Sequence, residues 1–124
     1  MKYSKTFETG CLANFVVCLI LNVMIVWSHY KASKSDPGYI TKTEIIQLNS
    51  CERLCKKCGA SKTELVHHCS SCDRCVFLMD HHCWWTNNCV GYNSFKSFYL
   101  FSVYVMLLTI FGITTIIRNI YSTN

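Results

Sequence analysis

Four consecutive residues, Asp80-His81-His82-Cys83, bring a carboxylate, two imidazoles and a thiol within reach of one another. A free cysteine of pKa ~8.5 is only a few per cent thiolate at neutral pH, so a nucleophilic cysteine needs a base or a positive field beside it. A histidine near pKa ~6.5 can take the thiol proton, and a carboxylate can fix the tautomer of that histidine. Covalent thiol chemistry is therefore the reaction class this stretch suits.

The same stretch sits among cysteines at metal-binding spacing: Cys55, Cys58, Cys69, Cys72 and Cys75 precede it and Cys89 follows it. Cys-x2-Cys pairs let two thiolates grip one ion from a tight turn, and zinc takes four N or S donors tetrahedrally. Six cysteines with His68 and His82 make eight donors, enough for two closed structural sites. That count leaves Cys83 without a metal to bind. His67 reads as a non-ligand. Cys51, separated from Cys55 by three residues, reads as a loop thiol or an acylation target. Ten cysteines could also form a secreted disulfide scaffold, but the paired spacing and interspersed histidines favour metal in a reducing compartment.

Elements must position these groups, and the flanks supply them. Thr9 to Tyr30 and Ser97 to Ile117 carry no Asp, Glu, Lys or Arg. Each is long enough for a helix across the ~30 Å hydrocarbon layer, and a chain this small could not bury two such runs internally. Trp27, Tyr30, Lys31 and Lys34 suit a headgroup border. Asn14 and Asn22 share a face and would bond another helix or simply be tolerated. Cys11 and Cys18 read as small buried residues. Thr114-Thr115 lies inside the second run. Asp36-Pro37-Gly38 ends the first helix. Ile40, Ile45, Ile46 and Leu48 beyond it are weak amphipathic anchors.

The organisation expected is a polar N-terminus (1–8), a transmembrane helix (9–30), a linker (31–50), a cysteine-rich zinc domain (51–96), a second transmembrane helix (97–117) and a tail (118–124). The fold class is membrane α-helical, with two transmembrane helices flanking a cytosolic loop that holds two structural zinc sites. Nine of the twelve Lys and Arg residues lie between the runs, which by the positive-inside rule places the loop in the cytosol. No repeat of 20 to 50 residues is visible. The loop, lacking strand or helix periodicity, would fold on its metal. A zinc-ribbon nucleic-acid binder is disfavoured by the mixed loop charge and the lack of a basic helix, so no nucleic-acid partner is expected.

From Asp36-Pro37-Gly38 through the cysteine series to Phe98, the chain resembles the DHHC protein S-acyltransferases, or palmitoyltransferases. Trp85, Asn88, Val90 and Gly91 follow the same pattern. The resemblance implies zinc held by Cys55, Cys58, His68 and Cys75 and a second zinc held by Cys69, Cys72, His82 and Cys89. It implies Cys83 as acyl-accepting nucleophile, His81 as its base and Asp80 as the residue orienting His81. Long-chain acyl-CoA would be the co-substrate, and membrane-associated proteins with cytosolic cysteines the acceptors. The membrane would be Golgi or endoplasmic reticulum. Lys56, Lys57, Lys62 and Arg74 would meet CoA phosphates, anionic lipid or solvent, and Trp84 and Trp85 would pack or lie at the interface.

The chain also departs from the family pattern. That pattern has two helices on each side of the loop, so a second copy or a partner subunit would supply the others. Thr63, Leu65 and Ser94 stand where proline, arginine and asparagine are usual, and no Thr-Thr-x-Glu motif is found. The alternative expectation is a catalytically inactive, truncated zinc-binding membrane adaptor or partner subunit.

Overall fold

A computed structural model describes residues 2–40 and 54–123. The expectations on Ile45, Ile46, Leu48 and Cys51 lie outside these residues. The element order is α1 (Lys2–Lys34), four short strands and α2 (Phe95–Thr123). The chain divides into two compact units: Met1–Ser28 with Leu100–Asn124, and His29–Tyr99.

Both helices outrun the apolar stretches. Apolarity sets which part of a helix sits in lipid, whereas a helix stops where the backbone is forced to stop. In α1 that happens after Lys34: Pro37 restricts the residue before it, and the Asp36 Oδ1 accepts from the N–H groups of Gly38 and Tyr39 at 2.8 and 2.9 Å. Gly38 takes φ 105°, which a Cβ would strain. The spans Gly10–Lys34 (25 residues) and Phe95–Ser122 (28 residues) reach roughly 37 and 42 Å at ~1.5 Å per residue, enough to cross a bilayer. None of the most apolar window of either span is buried within the protein. Phe15, Ile20, Val26, Ile113 and Ile116 are all exposed, an arrangement that suits lipid and not water.

Four polar side chains within the spans bond back to their own helix, which suits a hydrocarbon surrounding. Asn22 Nδ2 donates to the Cys18 carbonyl at 2.8 Å, Thr109 to Val105 at 2.9 Å, and Thr114 and Thr115 to Phe111 at 2.9 and 2.8 Å. Asn22 is thus satisfied in place, without a second helix. Cys11 is exposed and Cys18 half-buried, so the expectation that both are buried is corrected: on an outward-facing helix the chain itself has nothing to cover them.

The His29–Tyr99 unit is built from hairpins, which the polar composition of the loop had concealed. β1 (Val66–Cys69) pairs antiparallel with β2 (Arg74–Phe77), and β3 (His81–Cys83) with β4 (Asn88–Val90). The chain after Pro37 adds a second partner to β2. Ile40 N donates to Cys75 O (2.9 Å), Phe77 N to Gly38 O (2.8 Å), and Tyr39 bridges Val76. Among the described residues the buried hydrophobic side chains are few and small, and cysteines are half of them: Ala32, Ala60, Val66, Val76, Val90, and Cys55, Cys69, Cys75, Cys83 and Cys89.

Gly91 closes this unit. A Cβ there would meet the Pro37 carbonyl at 2.5 Å and Val76 Cγ1 at 2.6 Å, both fixed by their surroundings. Gly91→Ala should destabilise the folded protein by ~1–3 kcal/mol, seen as a lower denaturation midpoint at unchanged zinc content. Three residues on, buried Ser94 takes the Gly91 N–H at 3.1 Å and donates to the Cys89 carbonyl at 3.0 Å. Its own carbonyl accepts from Phe98 N at 3.1 Å, starting α2.

Candidate functional site

Three hairpins of one register follow one another through this unit. Cys55 N donates to Ala60 O at 2.8 Å, and Leu54 bridges Ser61. Cys69 pairs with Arg74 and His68 with Cys75; Cys83 pairs with Asn88 and His82 with Cys89. Each pair lies 14 residues beyond its predecessor. The step is too short for the usual periods of repeat proteins, and it emerges once the registers are compared.

This repetition sorts the donors. Cys55 and Cys58, from the first hairpin's turn, meet His68 and Cys75, which face each other across the second. Cys69 and Cys72, from the second turn, meet His82 and Cys89 across the third. Within each set the ligand atoms all lie within 4.8 Å of one another. His68 Nδ1 is 3.6 Å from Cys55 Sγ and 3.9 Å from Cys75 Sγ, and Cys58 Sγ is 3.4 Å from Cys75 Sγ. His82 Nδ1 is 3.6, 3.4 and 3.6 Å from the sulfurs of Cys69, Cys72 and Cys89. Tetrahedral bonds of ~2.0 to 2.3 Å place neighbouring donors roughly 3.5 to 3.8 Å apart, so two Cys3His sets of this size fit zinc. His67 is exposed and belongs to neither set, and none of the described cysteines forms a disulfide.

Residues around the donors tune them. The turn N–H groups of Cys58 and Lys57 bring Cys55 down to about 6, against the burial that pushes it up. Burial, then the neighbouring sulfurs of Cys58 and Cys55, pushes Cys75 up to about 12. Burial likewise raises Cys89. Asp73 Oδ1 lies 3.4 Å from His68 Nε2, longer than a good hydrogen bond. Tyr39 is raised by burial and then by its hydrogen bond to Cys72. Arg74 covers the Tyr39 ring, its guanidinium carbon 4.9 Å from the centroid, which gives this cation a neighbour other than solvent, lipid or phosphate.

Cys83 ends β3 as a buried side chain belonging to neither set. Burial by itself would raise its thiol. The side chain and N–H of Thr86, then His81, then the Trp85 N–H outweigh burial and bring it below the ordinary thiol value. Asp80 Oδ2 accepts from His81 Nδ1 at 3.0 Å; a carboxylate only accepts, so Nδ1 carries the proton and Nε2 is left as the basic nitrogen. The Cys83 thiol, and after it Asp80, hold His81 above the ordinary imidazole range despite partial burial. Phe98 packs edge-on against His81, with centroids 5.2 Å apart.

The last turns of α1 grip the Cys83–Asn88 turn. His29 Nε2 donates to the Trp85 carbonyl at 3.0 Å. Buried Asn88 donates through Nδ2 to the carbonyls of Ala32 (3.0 Å) and Ser35 (2.8 Å) and accepts Cys89 N–H at 2.9 Å. Those carbonyls are among the orphans of the helix end. Sequence reasoning missed Tyr39, Thr86 and His29 and took Asn88 only as part of a pattern. The one available signal was that Thr86 stands three residues after Cys83, where a metal pair would have its second cysteine. Trp84 and Trp85 are 80% and 84% exposed, so packing is not their role, although the Trp84 ring meets His82 edge-on at 5.4 Å.

A sequence model of the DHHC palmitoyltransferase family matches residues 48–124. The chain is similar to Palmitoyltransferase ZDHHC3-A of Danio rerio, with 36% identity over 118 residues, 88% of this chain and 37% of that protein. It is similar to Palmitoyltransferase ZDHHC3 of Homo sapiens, with 39% identity over 108 residues, 80% of this chain and 36% of that protein. Probable protein S-acyltransferase 15 of Arabidopsis thaliana is 34% identical over 102 residues, 82% of this chain and 38% of that protein. The matched region therefore spans a little over a third of the length of these relatives. With a family match covering more than half of its length, this integral membrane chain belongs to the DHHC palmitoyltransferase family.

Proposed function

We propose that the chain is a protein-cysteine S-acyltransferase, moving a long-chain acyl group from acyl-CoA through Cys83 to cysteines of membrane-associated proteins. The Asp80–His81–Cys83 arrangement carries the reading: an imidazole oriented through Nδ1 by Asp80, whose remaining basic nitrogen serves a neighbouring thiol that is buried yet belongs to no metal set.

His81 Nε2 takes the Cys83 proton. The sulfur forms a bond to the acyl carbonyl carbon as the carbon–sulfur bond to CoA breaks, and the CoA thiolate takes the proton from His81. In the second half His81 deprotonates the acceptor cysteine, whose sulfur displaces Cys83 from the acyl carbon. One thioester replaces another at each step, so neither nucleotide nor redox cofactor is required.

The residues that would hold zinc are Cys55, Cys58, His68 and Cys75 in one set and Cys69, Cys72, His82 and Cys89 in the other. Zinc in such four-donor sets supplies structure. It would keep the thiols apart and fix the backbone on both sides of Cys83. We place the cysteine-rich unit on the cytosolic side, in Golgi or endoplasmic reticulum membrane, on the distribution of Lys and Arg and on family habit. A second copy or a partner subunit would supply further helices around the acyl chain. Lys56, Lys57 and Lys62 line a depression beside the first donor set, but Cys83 is not in its lining, so it carries no CoA assignment.

The test is autoacylation of the zinc-loaded protein in detergent by labelled palmitoyl-CoA. A hydroxylamine-labile label on Cys83, absent from Cys83→Ala at equal zinc content, is the expected result. A folded, zinc-loaded protein that takes no label would replace this reading with the zinc-binding partner subunit.

A further inference from the structure

The 14-residue series does not stop at the two metal sets. Its first member is the turn Cys55-Lys56-Lys57-Cys58-Gly59, its second Cys69-Ser70-Ser71-Cys72-Asp73, and its third Cys83-Trp84-Trp85-Thr86-Asn87. All three are closed by the same pairing, Cys55 with Ala60, Cys69 with Arg74 and Cys83 with Asn88. All three end in a left-handed residue: Gly59 at φ 70°, Asp73 at 51° and Asn87 at 46°. In the first two, the opening cysteine is a metal donor and the fourth residue is its partner cysteine. In the third, the opening cysteine is Cys83 and the fourth residue is buried Thr86.

We infer that the nucleophile is the first cysteine of a third zinc knuckle, which Thr86 keeps free of metal. The conformation explains what the turn offers the sulfur. A knuckle aims the N–H groups of its third and fourth residues at its first sulfur; Cys72 N donates to Cys69 Sγ at 3.4 Å in the second turn. The corresponding donors reach Cys55 from Lys57 and Cys58, and Cys83 from Trp85 and Thr86. In the metal-holding turns these N–H groups steady a thiolate already bound to an ion. In the third they steady the sulfur that must attack. Threonine at the fourth position keeps the volume of the site and adds a hydroxyl, which lies 3.5 Å from the Cys83 carbonyl, but it removes the second thiolate that would draw an ion. The donors that a third set would take one step further along are also missing, since Lys96 and Val103 stand 14 residues after His82 and Cys89. Thr86 is therefore a positioning residue that separates nucleophile from ligand.

This inference deepens the acyltransferase reading and rests on it for the role of Cys83, but its test uses no acyl donor. The 124-residue chain is purified zinc-loaded as wild type, Thr86→Cys and Thr86→Ser, and zinc per chain is measured with Cys83 alkylation by iodoacetamide, read on the Cys83 peptide. Thr86→Cys should bind a third zinc through Cys83, the new thiol and His81, weaker than the other two. That zinc should slow Cys83 alkylation at least on the order of tenfold until a mild chelator removes it. Cobalt in its place should add thiolate-to-metal absorption. Thr86→Ser should keep two zincs and the wild-type alkylation rate.

Should Thr86→Cys misfold, Asn87 decides. Asn87→Gly, which accepts positive φ, should leave Cys83 alkylation unchanged. Asn87→Val, which resists it, should slow the reaction on the order of tenfold with both zincs in place. A folded Thr86→Cys protein with two zincs and zinc-independent alkylation, or an Asn87→Val protein reacting at the wild-type rate, overturns the inference. If wild type takes no palmitoyl label while Thr86→Cys captures the third ion, the knuckle stands and the acyltransferase reading falls.

Discussion

His81→Ala should slow acylation of Cys83 by ~10²–10⁴-fold, the usual range for loss of a positioned acid–base group, with two zincs retained. His81 lies beside the His82 donor but coordinates through nothing itself, and its ring rests on Asp80 and Phe98. The pH profile separates the base from a merely structural ring. In the wild type Cys83 sits below the ordinary thiol value, so thiolate forms earlier as pH rises. His81 sits above the ordinary imidazole value, so it keeps its proton to higher pH than a free histidine. Both shifts favour the thiolate–imidazolium pair, and the rising limb of the rate should fall below ~8.5. Because His81 is one of the groups lowering Cys83, the alanine variant should have its rising limb at higher pH. An unmoved limb with a lower plateau would assign His81 to structure alone. Asp80→Asn keeps a hydrogen-bonding side chain but loses the charge; it should give a smaller loss, with the limb displaced the same way.

Replacing a donor should be more drastic. Among the described residues, the core of the His29–Tyr99 unit is small and rests largely on the donors: one cluster joins Cys55, Ala60, Val66 and Cys75, the other Cys69, Val76 and Cys89. A structural zinc contributes ~10 kcal/mol or more of folding free energy, against a typical net stability of ~5–15 kcal/mol. Cys75→Ser should therefore unfold the unit and not merely empty one set. Cys75 lies on β2, which pairs with the strand ending in Cys69 of the other set and with the chain after Pro37. Zinc content should fall well below one per chain, and trypsin should cut at Lys62 and Arg74. Retention of one zinc with a trypsin-resistant second hairpin would show the sets to be independent. Loading should also release protons, because Cys75 and Cys89 must lose theirs to bind. Resistance to chelators should accordingly weaken as pH falls.

The two Cys3His clusters were legible in the sequence because metal binding depends on residue type and short spacing. A Cys-x2-Cys pair dictates its own turn, and two uncharged runs of membrane length dictate lipid-facing helices whatever else the chain does. The eight donors and Cys83 could be named from these facts, and the division into sets followed from the family resemblance. Three things came only from the coordinates.

The hairpins left no periodicity because strands of three or four residues are too short to show one, and because cysteines share their buried positions with the valines Val66, Val76 and Val90. The 14-residue step shows in the sequence only as scattered pairs such as Cys55 and Cys69 or His68 and His82, and that these are equivalent places of one register follows from the strand pairings. The grip of α1 on the Cys83–Asn88 turn, through His29 and Asn88, joins residues 56 and 53 positions apart, and no local rule links such positions. Spacing along the chain decides which residues can share an ion. Only the folded backbone decides that the turn carrying Cys83 has the shape of a metal knuckle, with a threonine where the second thiolate would be.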